Sequence, residues 1–71
     1  MTRRLTARFN RQTRRAEAAR KRGLACLVED GLFLNEARRQ AHISRLAFGR
    51  CYLVQRLPYS NLCNVVVIHG R

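Results

Sequence analysis

Residues 32–57 read Leu-Phe-Leu-Asn-Glu-Ala-Arg-Arg-Gln-Ala-His-Ile-Ser-Arg-Leu-Ala-Phe-Gly-Arg-Cys-Tyr-Leu-Val-Gln-Arg-Leu. Leu34, Ala37, Ala41, Leu46, Ala47, Cys51, Val54 and Leu57 can share a helical face, so the pattern predicts an amphipathic helix. Asn35 or Asp30 can cap its start, Glu36 stands in the first turn, and Pro58 stops it. Phe48, Tyr52 and Leu53 widen the apolar face beyond what one thin core uses, which marks Phe48 and Tyr52 as candidates for a partner interface. Upstream, Leu24 to Val28 are apolar and can join the core, and Glu29-Asp30-Gly31 reads as a turn. Downstream, Pro58-Tyr59-Ser60-Asn61 reads as a second turn. Leu62 to His69 then forms a strand with Val65, Val66, Val67 and Ile68 at its centre. A lone strand leaves its backbone groups unpaired. These four residues are therefore expected to pair with a second copy or to add to a partner's sheet. The expected fold class is mainly α: a basic N-terminal helix, a second amphipathic helix or helix-turn-helix, and one C-terminal β-strand completed from outside the chain.

Charge divides the sequence in two. The chain of 71 residues carries 15 basic and four acidic residues, a formal charge of +11. Fourteen of the basic residues are arginine, which makes planar, bidentate phosphate contacts that lysine cannot. Residues 1–22 hold nine of the 15 basic residues and one acid, Glu17, for a net of +8; residues 23–71 have a net of +3. The first segment reads as an arginine-rich polyanion-binding helix and the second as a small helical domain with a C-terminal strand. In the first, Leu5, Phe9, Gln12 or Thr13, Ala16 and Ala19 form a weak apolar stripe, and Arg4, Arg8, Arg11, Arg15 and Arg22 follow a similar period on a neighbouring face. Free in water such a helix frays under its own charge, and phosphates would relieve the repulsion. The same start, arginine-rich and poor in acid, also reads as a mitochondrial presequence, although it lacks the usual serines.

Other classes find little footing. Four scattered acids give no general acid–base pair, there is no Gly-rich phosphate loop, and no Cys–His pair follows from spacing, so no enzyme and no catalytic residue is expected. Cys26, Cys51 and Cys63 are odd in number and widely spaced, which does not make a disulfide framework and suits a reducing, cytoplasmic compartment. Together with His42 and His69 they lack the paired spacing of a zinc site, so neither metal nor cofactor is expected. No run of 18 apolar residues is present and no secretory signal is legible, which argues against a membrane.

Gln12 to Arg22 reads Gln-Thr-Arg-Arg-Ala-Glu-Ala-Ala-Arg-Lys-Arg. This resembles the arginine-rich RNA-binding motif of the lambdoid phage N antitermination proteins, a helix that binds an RNA hairpin. The resemblance implies phosphate contacts from Arg14, Arg15, Arg20, Lys21 and Arg22, with Ala16 and Ala19 permitting close approach; it covers only this stretch. Glu36 to Arg50 is similar to the common helix-turn-helix pattern, with Ile43 and Phe48 at buried positions and Ser44 as the cap of a recognition helix. That similarity implies Arg45, Leu46, Gly49 and Arg50 in a groove. Arg38 departs from it where a small Ala is usual, and His42 where Gly takes the turn. One uninterrupted amphipathic helix accounts for the same residues.

The expected function is that of a small basic regulatory protein binding nucleic acid, RNA in preference to DNA, acting on transcription, with a phage or mobile-element origin. Its expected contacts are Arg8, Arg11, Arg14, Arg15, Arg20, Lys21, Arg22, Arg45 and Arg50. The alternatives are a protein-interaction module that docks on a larger host nucleic-acid-handling complex, and a ribonucleoprotein component. A homodimer or a larger complex would satisfy the apolar face and the strand.

Overall fold

The structure is a computed structural model, which describes residues 3–58 and 60–69, with backbone alone for residues 3–8. The elements run α1 (Arg3–Lys21), β1 (Ala25–Phe33), α2 (Leu34–Phe48), β2 (Cys51–Arg56) and β3 (Leu62–Ile68). The three strands form one sheet in the order β1-β3-β2, and β3 is antiparallel to both neighbours. β1 and β2 are therefore parallel to each other, joined through α2 and split by β3. The fold is α+β, which corrects the mainly helical expectation.

The correction has three local causes. First, the segment read as one helix is a helix and a strand. Gly49 sits at φ 67°, the left-handed conformation that ends helices, and its amide donates to the Arg45 carbonyl at 2.9 Å. His42, by contrast, lies inside an unbroken helix, so no helix-turn-helix forms, and Arg38 is exposed rather than wedged in a helix crossing. Second, residues 25–33 are a strand, and Glu29-Asp30-Gly31 is not a turn between helices. It is an irregularity within β1, with register shifts on either side of Glu29 and Gly31 at φ 69°. Third, the C-terminal strand forms but is not completed from outside. Its two ladders are intramolecular, Cys26↔Val67 and Leu27↔Val66 on one side, Tyr52↔Val67 and Leu53↔Val66 on the other.

Both faces of β2 and β3 are packed. On one face Tyr52, Val54, Cys63 and Val65 meet Ala37 and Ala41 of α2 and Phe9 of α1. On the other, Leu53 and Val66 meet Ala16, with Ile68 at the margin. α1 thus reaches both faces, because it lies along the free edge of β2. The outward backbone groups of that edge are taken up by side chains. Val54 N–H donates to Gln12 Oε1 at 3.1 Å and Arg56 N–H to Thr13 Oγ1 at 2.8 Å. The Arg45 guanidinium donates to the Tyr52 carbonyl at 3.0 Å through Nε and 2.6 Å through Nη2. An edge strand left bare is a template for unwanted pairing. Here α1 and α2 close one edge, and the acid-bearing irregularity at Glu29 and Asp30 interrupts the other. The Cα radius of gyration, 11.3 Å, matches the about 11 Å of a fully compact chain of this length, so the arginine-rich helix is packed and is no free arm.

α2 begins where Glu36 Oε1 accepts the Phe33 N–H at 3.1 Å, the acidic half of a capping box. α1 ends where the Leu24 N–H reaches back to the Ala19 carbonyl at 2.8 Å. The double variant Gln12→Ala, Thr13→Val should lose two hydrogen bonds to buried-edge backbone, costing about 1–3 kcal/mol. Urea unfolding monitored by circular dichroism reads this out. A variant as stable as the parent would show that α1 is held by its apolar contacts alone.

Candidate nucleic-acid interface

The contacts that tie α1 to the sheet also fix its rotation. Phe9, Gln12, Thr13, Ala16 and Ala19 occupy the inner face. At 3.6 residues per turn the opposite face carries Arg11, Arg15 and Arg22 in one row and Arg14 and Lys21 in the next. All five are exposed. Eleven helical steps of 1.5 Å make this double row about 16 Å long. Among the described residues none of the five is in an ion pair. The one acid of α1, Glu17, is on the flank that meets Thr13, Arg56 and Ser60 across an open recess. Arg20 and Lys21 in the last turn also oppose the negative end of the helix dipole.

The other expected contacts are dispersed. Arg20 turns toward the sheet, its Nη1 donating to Gln55 Oε1 at 3.0 Å. Arg45 braces the β2 edge through Tyr52. Arg50 is exposed beyond the C-terminal end of α2. The side chain of Arg8 lies outside the described residues. Two arginines not among the expected contacts extend the basic surface. Arg39 is exposed, and the Arg38 guanidinium stands 5.7 Å from the centroid of the Phe9 ring, joining α2 to α1. Nothing in the local sequence announces the second contact, since it spans two elements.

Of the residues expected at a partner interface, Val65 and Val66 are fully buried, Tyr52 is buried, and Val67 and Ile68 are half-buried. Phe48 alone is well exposed, at 68%. On other sides of α2, Ile43 is 51% and Leu46 75% exposed; the helical period had placed Leu46 on the apolar face, and the helix-turn-helix similarity had placed Ile43 at a buried position.

The structure also brings together a pair that spacing did not. Cys26 Sγ lies 2.9 Å from His69 Nε2, both exposed, at the end of the sheet where β1 and β3 run side by side. Two ligands fall short of the four of a structural zinc site, and among the described residues no group of three His, Cys, Asp or Glu side chains gathers to hold a metal. Cys63 is of the other kind: burial pushes its thiol pKa up, against the opposing pull of the Arg56 charge, so it behaves as a small apolar core residue. Among the described residues no helix is long and apolar enough to cross a membrane. No protein-family model matches the chain, and no curated protein or solved structure does either.

Proposed function

We propose that this chain is a small basic protein that binds nucleic acid, RNA in preference to DNA, and regulates transcription through that contact. One observation carries the reading: α1 is locked to the sheet by its Phe9, Gln12, Thr13 and Ala16 face, leaving Arg11, Arg14, Arg15, Lys21 and Arg22 exposed in a double row. A helix already fixed against the sheet loses little backbone freedom on meeting phosphates. Arginine also supplies the bidentate geometry that phosphate favours. Five neutralised phosphates set the slope of log K against log salt at about −3.5 for a single strand and about −4.5 for a duplex. Titration with random duplex, hairpin RNA and heparin across a salt series tests this. A slope shallower than about −2 would sink it.

A second reading is favoured by the exposed Ile43, Leu46 and Phe48 of α2. On that reading the chain docks on a larger complex that handles nucleic acid, with the arginines against an acidic protein surface. Failure to bind any of the three polyanions at physiological salt would favour it.

A further inference from the structure

We infer that the C-terminal end of α2 holds a recess for a single unstacked base of a nucleic-acid strand, formed by Phe48, Arg50, Tyr52 and Val67. The inference rests on the nucleic-acid reading above and names a second, chemically distinct contact for the same ligand. The recess is open, with a volume of about 290 Å³, and these four residues line it. Val67 and Tyr52 face each other across the β2–β3 ladder and form its floor. Phe48, the last residue of α2, stands over that floor with its ring centroid 6.4 Å from that of Tyr52 and tilted by 39°. The tilt rules out a closed parallel stack between the two rings and leaves much of the Phe48 ring uncovered, in keeping with its 68% exposure. Gly49, in the left-handed conformation, turns the chain out of the helix so that Arg50 comes to the lip of the recess.

An exposed aromatic ring, an apolar floor and a guanidinium at the rim are what an unpaired nucleotide requires: a face on which the base stacks and a cation for the adjoining phosphate. The choice of occupant follows from charge. Arg50 is exposed, and among the described residues it is in no ion pair. The chain as a whole is at +11, so an anionic ligand is drawn to this recess as it is to α1. Duplex bases are stacked within the helix and cannot enter. The recess therefore confers a preference for single-stranded or looped segments that the arginine rows, which meet only phosphates, do not supply.

Fluorescence anisotropy with a labelled oligouridylate of about 12 nucleotides and with a duplex of random sequence separates the two contacts. Phe48→Ala should weaken oligouridylate binding by about 5- to 150-fold, the range of one base–aromatic stack, and duplex binding by less than about twofold. Phe48→Tyr should restore it. Oligouridylate carrying 5-iodouridine should crosslink on irradiation to the peptide that contains Phe48 or Tyr52. Equal loss for both probes, or no loss for either, overturns the inference, as does crosslinking confined to α1. Wild-type binding to the duplex without binding to oligouridylate overturns the recess and leaves the arginine reading standing; binding to neither overturns both. Circular dichroism melts of the Phe48 variants show whether the fold survives, and the crosslink on the unaltered chain decides the matter if it does not.

Discussion

Replacing Arg11, Arg14, Arg15, Lys21 and Arg22 together with alanine is expected to weaken polyanion binding by about a thousandfold at 0.15 M salt. The figure follows from the salt dependence alone: a slope near −4 amounts to about 2,000-fold between 1 M and 0.15 M, and removing the five cations removes that slope. The fold should survive, since all five side chains are exposed and none of the Phe9, Gln12, Thr13 or Ala16 contacts changes. Helicity should hold or rise, because five like charges crowded on one helix repel each other and alanine is the best helix former. Isothermal titration across a salt series, paired with circular dichroism, checks both halves. Undiminished affinity in a folded variant would place the polyanion elsewhere on the molecule. Arg20→Ala belongs to another group: it removes the bond to Gln55 and should act on stability more than on salt slope.

The second large effect concerns Val66. Read from sequence, this residue is at the centre of a strand offered to a partner, where lysine would disturb assembly and leave the monomer intact. In the fold it is fully buried on the central strand, between Leu53 and Leu27 on the neighbouring strands and beneath Ala16. Val66→Lys forces an unpaired ammonium into that site, a cost of several kcal/mol. A domain of this length holds roughly 4–10 kcal/mol in all. The variant should therefore be largely unfolded, with flattened urea and thermal transitions, whereas Val66→Ala should cost about 2 kcal/mol and remain folded. A folded Val66→Lys protein altered only in its oligomeric state would restore the strand to an outside partner and refute the sheet order β1-β3-β2.

Why β1 and β2 were harder to read than the rest of the molecule is visible in particular residues. β2 is buried on both faces, with Tyr52, Leu53 and Val54 all in the core. Such a strand lacks the alternation that marks one solvent-facing side and reads as a continuous apolar run. Cys51, Val54 and Leu57 follow one another at three-residue steps, which reads as helical spacing across a boundary that one residue, Gly49, imposes. β1 was obscured in the opposite way. Six consecutive residues, Cys26 to Gly31, are exposed, and a bulge at Glu29-Asp30-Gly31 mimics a turn. The strand at 62–68 was legible because Val65, Val66, Val67 and Ile68 are four β-branched residues in a row. Its neighbours were not, since pairing partners are chosen by the whole chain.

The sequence by itself determined that the arginine-rich first segment makes a helix, that a helix with Glu36 in its first turn follows later, and that residues 62–68 make a strand. These are consequences of local propensity and short-range charge, which a few adjacent residues suffice to set. Only the tertiary structure decided what the apolar stripe of the arginine-rich helix packs against, and so how its arginines are held. That choice is made by two hydrogen bonds that Gln12 and Thr13 accept from a strand more than 40 residues away, and by Phe9 and Ala16 entering opposite faces of one sheet. The periodic stripe of Phe9, Gln12, Thr13, Ala16 and Ala19 marks that face in the sequence, but only the long-range contacts convert an arginine-rich segment into an oriented surface.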